Sequence, residues 1–252
     1  MNDTITIIIS VWKREYLDEQ LQSLVHQTIR PQEIWILQDK YHIDISSTVN
    51  KYKEIFPDIH LVHSDINFKY FWRFSLCIYV KTKYTLIIDD DVIPSPTWLD
   101  TCLKKCKEYN AVISCTGRII KPFHEGEVRD LYFIGDVHPD HKYNFQEDDT
   151  MVDYGCNSFF FKTGWIKDFW HIWPSSFASG EDMHLSSSLK ILRSIPTVVP
   201  QQLSKNGTGN LNKYYSRDQF SSWRAADFRL IRESIVDYLL VKGWKPLMWG
   251  TD

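Results

Sequence analysis

Short apolar runs alternate with amphipathic stretches through the first ninety residues, and this alternation constrains the chain more than any other feature. Thr4 to Val11 is apolar on both faces toward its end, as central parallel strands are. A helix follows, with Leu17, Leu21, Leu24 and Val25 at helical spacing, and closes before Pro31. Glu33 to Asp39 predicts a second buried strand with a carboxylate at its C-terminal end. Ser46 opens a second helix carrying Val49, Tyr52 and Phe56, ended by Pro57, and Ile59 to Val62 is a third short strand. A third helix, from about Phe68 to Val80, places Phe71, Phe74, Ser75 and Ile78 on one face and leads into Tyr84-Thr85-Leu86-Ile87-Ile88. Strands alternating with helices in this way build a parallel sheet with right-handed crossovers, so the fold class is α/β.

The last of these strands ends in Asp89-Asp90-Asp91. Three adjacent acids repel one another and are costly beside a hydrophobic strand unless water or a cation faces them. Oxygen-only ligands suit Mg²⁺ or Mn²⁺, which keeps several waters and takes further ligands from substrate phosphates. Capping of the next helix is the competing use of these acids. Ser95-Pro96 already supplies an N-cap and a first helical residue ahead of Trp98, Leu99, Cys102, Leu103 and Cys106. In open sheets, ligands sit outside the carboxyl ends of the strands, so Asp39 and the Asp89 to Asp91 cluster are expected to share one crevice.

Ala111 to Cys115 predicts another strand, ending at Thr116-Gly117-Arg118. Lys121 to Thr150 then turns polar, with His124, His138, His141, Glu147, Asp148 and Asp149, and reads as an insertion or long loops. His138-Pro139-Asp140-His141 invites a second-metal reading, although exposed loops are often rich in these residues. Strand character resumes over Val152 to Phe161. Glu181 and Asp182 fall in the first turn of a helix whose buried side is Leu185, Leu189 and Leu192. Acids there are favoured by the helix dipole whatever their function, but two of them with His184 one turn along also fit a reactive site. Val198-Val199-Pro200 is a last short strand, Gln201 to Ser216 a flexible polar loop able to close over a ligand, and Trp223 to Lys242 a helix packed through Ala226, Leu230, Ile231, Ile235 and Leu239.

The length of 252 residues suits one domain with a sizeable core. A net charge of −3 without any Lys/Arg block gives no reason to expect nucleic acid as a partner. No stretch of the sequence could span a bilayer, and the N-terminus lacks a basic region, so a cytoplasmic location is expected. The five cysteines form no Cys-x-x-Cys pair and are expected to be reduced core residues. Dinucleotide, Walker and Gly-x-Ser-x-Gly motifs are absent, which disfavours dehydrogenase, ATPase and esterase chemistry.

In the order and spacing of these pieces, roughly from Thr4 to Pro200, the chain resembles the nucleotide-sugar glycosyltransferases of the GT-A fold, most closely the family 2 type. The resemblance rests on the first strand with Ser10-Val11-Trp12-Lys13-Arg14, on Gln27-Thr28, on Pro31 to Asp39, on Asp89-Asp90-Asp91 and on Glu181-Asp182. It implies one Rossmann-like GT-A domain over residues 1–252, with a mostly parallel central sheet flanked by helices. Residues 1–118 would bind the nucleotide sugar, 119–200 the acceptor, and 201–252 would form a flexible loop and C-terminal helix. By the same resemblance, Ser10, Trp12, Asp39, Arg73, Asp89 and Asp90 line the donor site, with Lys69 a weaker candidate. Asp91 and Asp89 hold Mn²⁺ or Mg²⁺, and His184 could complete the metal shell, with a surface or packing histidine as its equal alternative. Trp12-Lys13 and Gln38-Asp39 depart from the residues usual in the family at those places.

The implied activity moves a sugar from a nucleoside-diphosphate sugar, UDP foremost, to a hydroxyl of a glycan or glycoconjugate. Asp182 is the expected base, with Glu181 orienting, which gives single displacement with inversion. Trp165, Trp170 and Trp173 are candidates for an acceptor platform, with core packing as their alternative use. A retaining transferase and a catalytically inactive glycan-binding module of the same fold are the competing readings. Retention of both acid motifs weighs against the second.

Overall fold

The computed structural model describes residues 3–123, 129–138, 140–214 and 217–249. His124 and Pro139 of the polar insertion lie outside them. Strands β1 (Ile5–Val11), β2 (Glu33–Asp39), β3 (Ile59–Ser64) and β4 (Tyr84–Ile88) run parallel, with Ile8 facing Trp35 on one side and Ile87 on the other. Helices α1 (Leu17–Val25) and α2 (Ser46–Lys53) make the first two crossovers.

Side chains alternate between the two faces of these strands as the two-residue period requires. Ile7, Ile9, Leu86 and Ile88 join Leu21, Leu24, Tyr52, Trp98 and Cys102 in one core layer, against α1, α2 and α4 (Trp98–Tyr109). Ile8 and Ile87 point the other way, toward Phe74, Phe169 of α5 (Ile166–His171) and Leu185 of α6 (Glu181–Arg193). Each fully buried Ile, Leu or Phe contributes roughly 1.5–3 kcal/mol, so the two layers account for the sheet's central position.

The third crossover differs from the single helix expected. It is a 3₁₀ turn (Lys69–Phe71), a short α3 (Trp72–Leu76) and a second 3₁₀ turn (Cys77–Tyr79). Three residues per turn buries Phe71, Phe74 and Cys77 at a spacing of three and turns Ile78 outward, 60% exposed. The same change of phase carries Arg73 into the interior.

Beyond α4 the chain is more finely divided than its sequence suggests. Val112–Ile113 (β5) and Thr116–Ile120 (β6) are separate strands, and the polar insertion contains β7 (Leu131–Ile134) and the start of β8 (Thr150–Val152). The expected strand over Val152 to Phe161 is three: β8, β9 (Tyr154–Cys156) and β10 (Ser158–Lys162), the last two separated by Asn157 in the left-handed region at φ 69°. With β11 (Thr197–Val199), the eight-stranded sheet has the order β3-β2-β1-β4-β10-β5-β11-β8, and β10 runs antiparallel to β4. A second sheet, β7-β6-β9, supports α7 (Phe228–Val241) through Ile120, Tyr154, Met183, Ile235, Val236 and Leu239. The C-terminal helix therefore starts later than expected, and Leu230 is 74% exposed rather than packed.

Two local expectations are corrected by hydrogen bonding. The side chain of Ser95 caps nothing; Gln27 accepts from the Leu99 amide at 2.9 Å and donates to the Ser95 carbonyl at 2.7 Å, bridging the entry to α4. The segment after β11 is not a loose loop. Gln202 donates to the Cys115 carbonyl at 2.7 Å and accepts from the Gly209 amide at 2.8 Å, and Gln202, Thr208, Asn210 and Asn212 are all buried. Among the described residues no helix is long and apolar enough to cross a membrane, and the five cysteines are free.

Candidate active site

The acid triplet sits where β4 runs out. The Asp89 amide donates to the Asn157 carbonyl at 2.9 Å, and Gln20 donates to the carbonyls of Asp89 and Val92, both at 2.8 Å. From the other side Asn210 accepts from the Ile93 amide at 3.0 Å and Asn212 donates to the Asp91 carbonyl at 2.9 Å. The turn that presents the carboxylates is thus held by α1, by Asn157 at the entry to β10 and by the post-β11 segment together.

Arginines answer the acids. Arg14, just past β1, bonds Asp90, lies 3.5 Å from Asp91, and reaches Asp218 with Nε at 2.5 Å and Nη2 at 2.9 Å. Burial alone would weaken its charge, but Asp218, Asp90 and Asp91 more than offset that. Arg73 donates to Asp89 and, at 3.0 Å, to Glu181. Arg232 from α7 grips Asp182 with both terminal nitrogens. Burial, then the neighbouring charge of Asp182, pushes Glu181 up to about 7 against the pull of Arg73.

Two cavities meet at this charge network. One, of about 330 Å³, is lined by Ser10, Trp12, Asp39, Arg73 and Asp89 to Asp91. These are the donor-side residues expected from the sequence, brought together with Lys69 and with Arg14 and Tyr70, which were not expected. Lys13 caps the Trp12 ring at 4.4 Å, and Asp39 accepts weakly from the Phe68 amide at 3.3 Å while burial raises its pKa. The second cavity, of about 610 Å³, is lined by Glu181, Asp182, Arg118, Tyr154, Trp223 and Arg232, and shares Tyr70, Asp89, Asn157 and Ser179 with the first.

Other expectations do not meet there. His184 points into an aromatic cage, its Nε2 at 2.9 Å from the Phe169 carbonyl and its ring 4.8 Å from that of Phe169, and burial holds its pKa below the usual value. The structure gives it a packing role rather than a place beside Asp91. Trp165 and Trp170 pack against the core, and Trp173 is 67% exposed beside Phe177; none lines either cavity. Trp223 and Phe228 supply the aromatic surface instead. His141 stacks on Phe145, and His138 packs edge-on against His141 and tilted against Phe145.

Asp89 and Asp91 offer oxygen donors that suit Mg²⁺ or Mn²⁺. Among the described residues no three His, Cys, Asp or Glu side chains converge as a ready-made metal cage. A cation here would therefore take part of its shell from water or diphosphate oxygens, as these ions commonly do.

A family model described as glycosyl transferase family 2 matches residues 6–169. Among solved structures, the chain is similar to the mannosyltransferase PcManGT from Pyrobaculum calidifontis in complex with GDP-Man and Mn²⁺, with a TM-score of 0.60 and 13% identity over 95% of this chain and 63% of that one. It is also similar to S. aureus TarS 1-349 in complex with UDP, with a TM-score of 0.54 and 16% identity over 81% of this chain and 59% of that one. Against the longer S. aureus TarS structure the TM-score is 0.54 and the identity 15%, over 81% of this chain and 36% of that one. The chain thus spans from about a third to just under two thirds of these structures, and at such identities the likeness is one of fold. No curated protein sequence matches it.

Proposed function

The chain belongs to glycosyltransferase family 2, and from that premise we propose that it moves a sugar from a nucleoside-diphosphate sugar, UDP foremost, to a hydroxyl of a glycan or glycoconjugate, with inversion. The observation that carries the reading is the meeting of two cavities at Asp89, which lines both, with Arg73 bonding Asp89 and also Glu181 of the second cavity. UDP in the similar TarS structure and GDP-Man with Mn²⁺ in PcManGT support a nucleotide sugar and a divalent cation in the first cavity.

In this reading residues 1–118 form the floor of the donor site and 119–200 most of the acceptor site. The segment 201–252 roofs both through Ser222 and Phe228. Asp91 and Asp89 would hold Mg²⁺ or Mn²⁺, which supplies charge neutralisation for the departing diphosphate. Arg14 and Arg73 are the chain's own cations on that wall and add to it. Trp12 and Asp39 line the same cavity and suit the base and ribose. The proton of the acceptor hydroxyl goes to the Glu181–Asp182 pair. Asp182, with both oxygens on Arg232, suits the orienting role; Glu181, pushed up by burial, has a basicity matched to accepting a proton near neutrality. These roles are the reverse of those expected from sequence.

A thermal-shift screen of UDP-, GDP-, CMP- and dTDP-sugars, each with Mn²⁺ or EDTA, tests the donor assignment on wild type and Asp91→Asn. The expected result is one nucleotide that stabilises only with metal and only in wild type. No metal-linked shift with any of them would remove the donor site from the first cavity.

A further inference from the structure

A third cavity, of about 290 Å³, lies between α7 and the small sheet. Its walls are Ile120 of β6, Leu131 and Phe133 of β7, Met183 of α6, and Phe228 and Val236 of α7. Leu131, Phe133, Tyr154, Phe228 and Arg232 line both this cavity and the acceptor cavity, so the two adjoin. Arg232 stands at the junction, its guanidinium 5.2 Å from the rings of Tyr154 and Phe228 while it holds Asp182. The charges at the rim are matched with one another: Arg129 bonds Glu233 at 2.8 Å and also Asp237, Arg229 lies 3.7 Å from Glu233, and Asp130 bonds Lys121 at 2.6 Å. An apolar hollow with a neutralised rim, opening from a site that binds hydroxyl groups, suits an uncharged apolar group carried by the same ligand.

We propose that this cavity is a distal acceptor subsite for an apolar aglycone, an alkyl or aryl chain attached to the sugar whose hydroxyl is glycosylated. The proposal rests on the transferase reading of the acceptor cavity. The sugar faces Glu181 and Asp182, and the chain runs past Arg232 between Phe133 and Phe228 into the hollow. Surface that water covers poorly is removed from solvent on both partners, so affinity rises with chain length until the hollow is filled.

The test compares methyl and octyl glycosides of glucose, galactose, mannose and N-acetylglucosamine, below micelle-forming concentrations, by calorimetric titration of wild type, Phe133→Glu and Leu131→Glu. Both positions lie on the edge strand β7; Phe133 is 60% exposed, so a charge there is compatible with folding, whereas Leu131 is partly buried against the α7 core, and a cooperative melt checks both variants. For at least one sugar the octyl glycoside is expected to bind wild type at least about tenfold more tightly than the methyl one, with the advantage falling below about threefold in both variants. An octyl advantage with none of the sugars, or one that survives both substitutions, overturns the subsite. Titration of UDP with Mn²⁺ on the same wild-type sample separates the two failures. Absence of nucleotide binding removes the transferase reading, whereas nucleotide binding without an octyl preference removes the subsite alone.

Discussion

Arg232 holds both oxygens of Asp182, Nη1 to Oδ1 at 3.0 Å and Nη2 to Oδ2 at 2.9 Å, and so ties α7 to the first turn of α6. The fork fixes the plane of the carboxylate as well as its position. Arg232→Lys keeps the charge and loses the fork. The expected effect is a kcat lower by about 10- to 100-fold with the donor KM within about twofold, because misplacement of an orienting group acts on the chemical step. Steady-state kinetics in which kcat is unchanged would show that the clamp orients nothing.

Glu181 offers a pH signature. Its folded-state pKa is raised to about 7, by burial first, and a base must be deprotonated to act. kcat/KM therefore rises as pH increases through about 7 and levels off above it. Glu181→Gln is expected to abolish that limb and to lower the rate by roughly 10²- to 10⁴-fold. If Asp182→Asn alone removes the limb, the base is Asp182.

Asp149 makes a prediction about stability. Burial would raise its carboxyl, but Lys105, the Gln201 amide and the Tyr109 hydroxyl more than offset this and leave it below the usual value of 3.8. A depressed carboxylate stabilises the fold fully above its unfolded pKa and loses that contribution as pH falls through the folded value. Asp149→Asn is expected to destabilise by about 1–2 kcal/mol at neutral pH, and by progressively less below pH about 4. Urea titrations at both ends of the range check it. An equal deficit at pH 3 and pH 7 would contradict the assignment.

Gly209 tests whether the post-β11 segment is packed or loose. A Cβ there would lie 2.3 Å from Cβ of Cys115 and 2.8 Å from the Trp98 ring. Gly209→Ala is expected to destabilise by roughly 1–3 kcal/mol, the usual range for overpacking. An unchanged melting temperature would mean that the segment yields.

Much of the first half of the chain was legible because its signals are local. The apolar runs of β1, β2 and β4, the helical spacing of Leu17, Leu21 and Leu24, and the acids at the strand ends are all visible within a few residues. What escaped depends on distance. Arg14 was visible in the motif after β1, but its pairing with Asp218 spans 204 residues. Arg232 is one of two arginines on α7, with no pattern to connect it to Asp182. The broken third crossover was hidden because Phe71 and Phe74 fit a 3.6-residue period nearly as well as the three-residue one, and only Ile78 and Cys77 tell them apart. His184 stayed open between metal ligand and packing residue because sequence shows spacing along a helix but not which neighbour fills the space beside the ring. Gln202, Thr208, Asn210 and Asn212 resembled solvated loop residues, since polar side chains that bond buried backbone groups inside the fold have the same composition as those that face water.

The bond from Asn212 to the Asp91 carbonyl bears on how the protein can be recombined. The matched family region ends at residue 169, yet the backbone that aims the last acid of the triplet is pinned by a residue more than forty positions further on. The geometry of the triplet is therefore not a transplantable module. A chimera that joins residues 1–118 to a foreign acceptor half would inherit the triplet without the peg that sets its direction, and a junction that preserves it has to fall beyond Asn212.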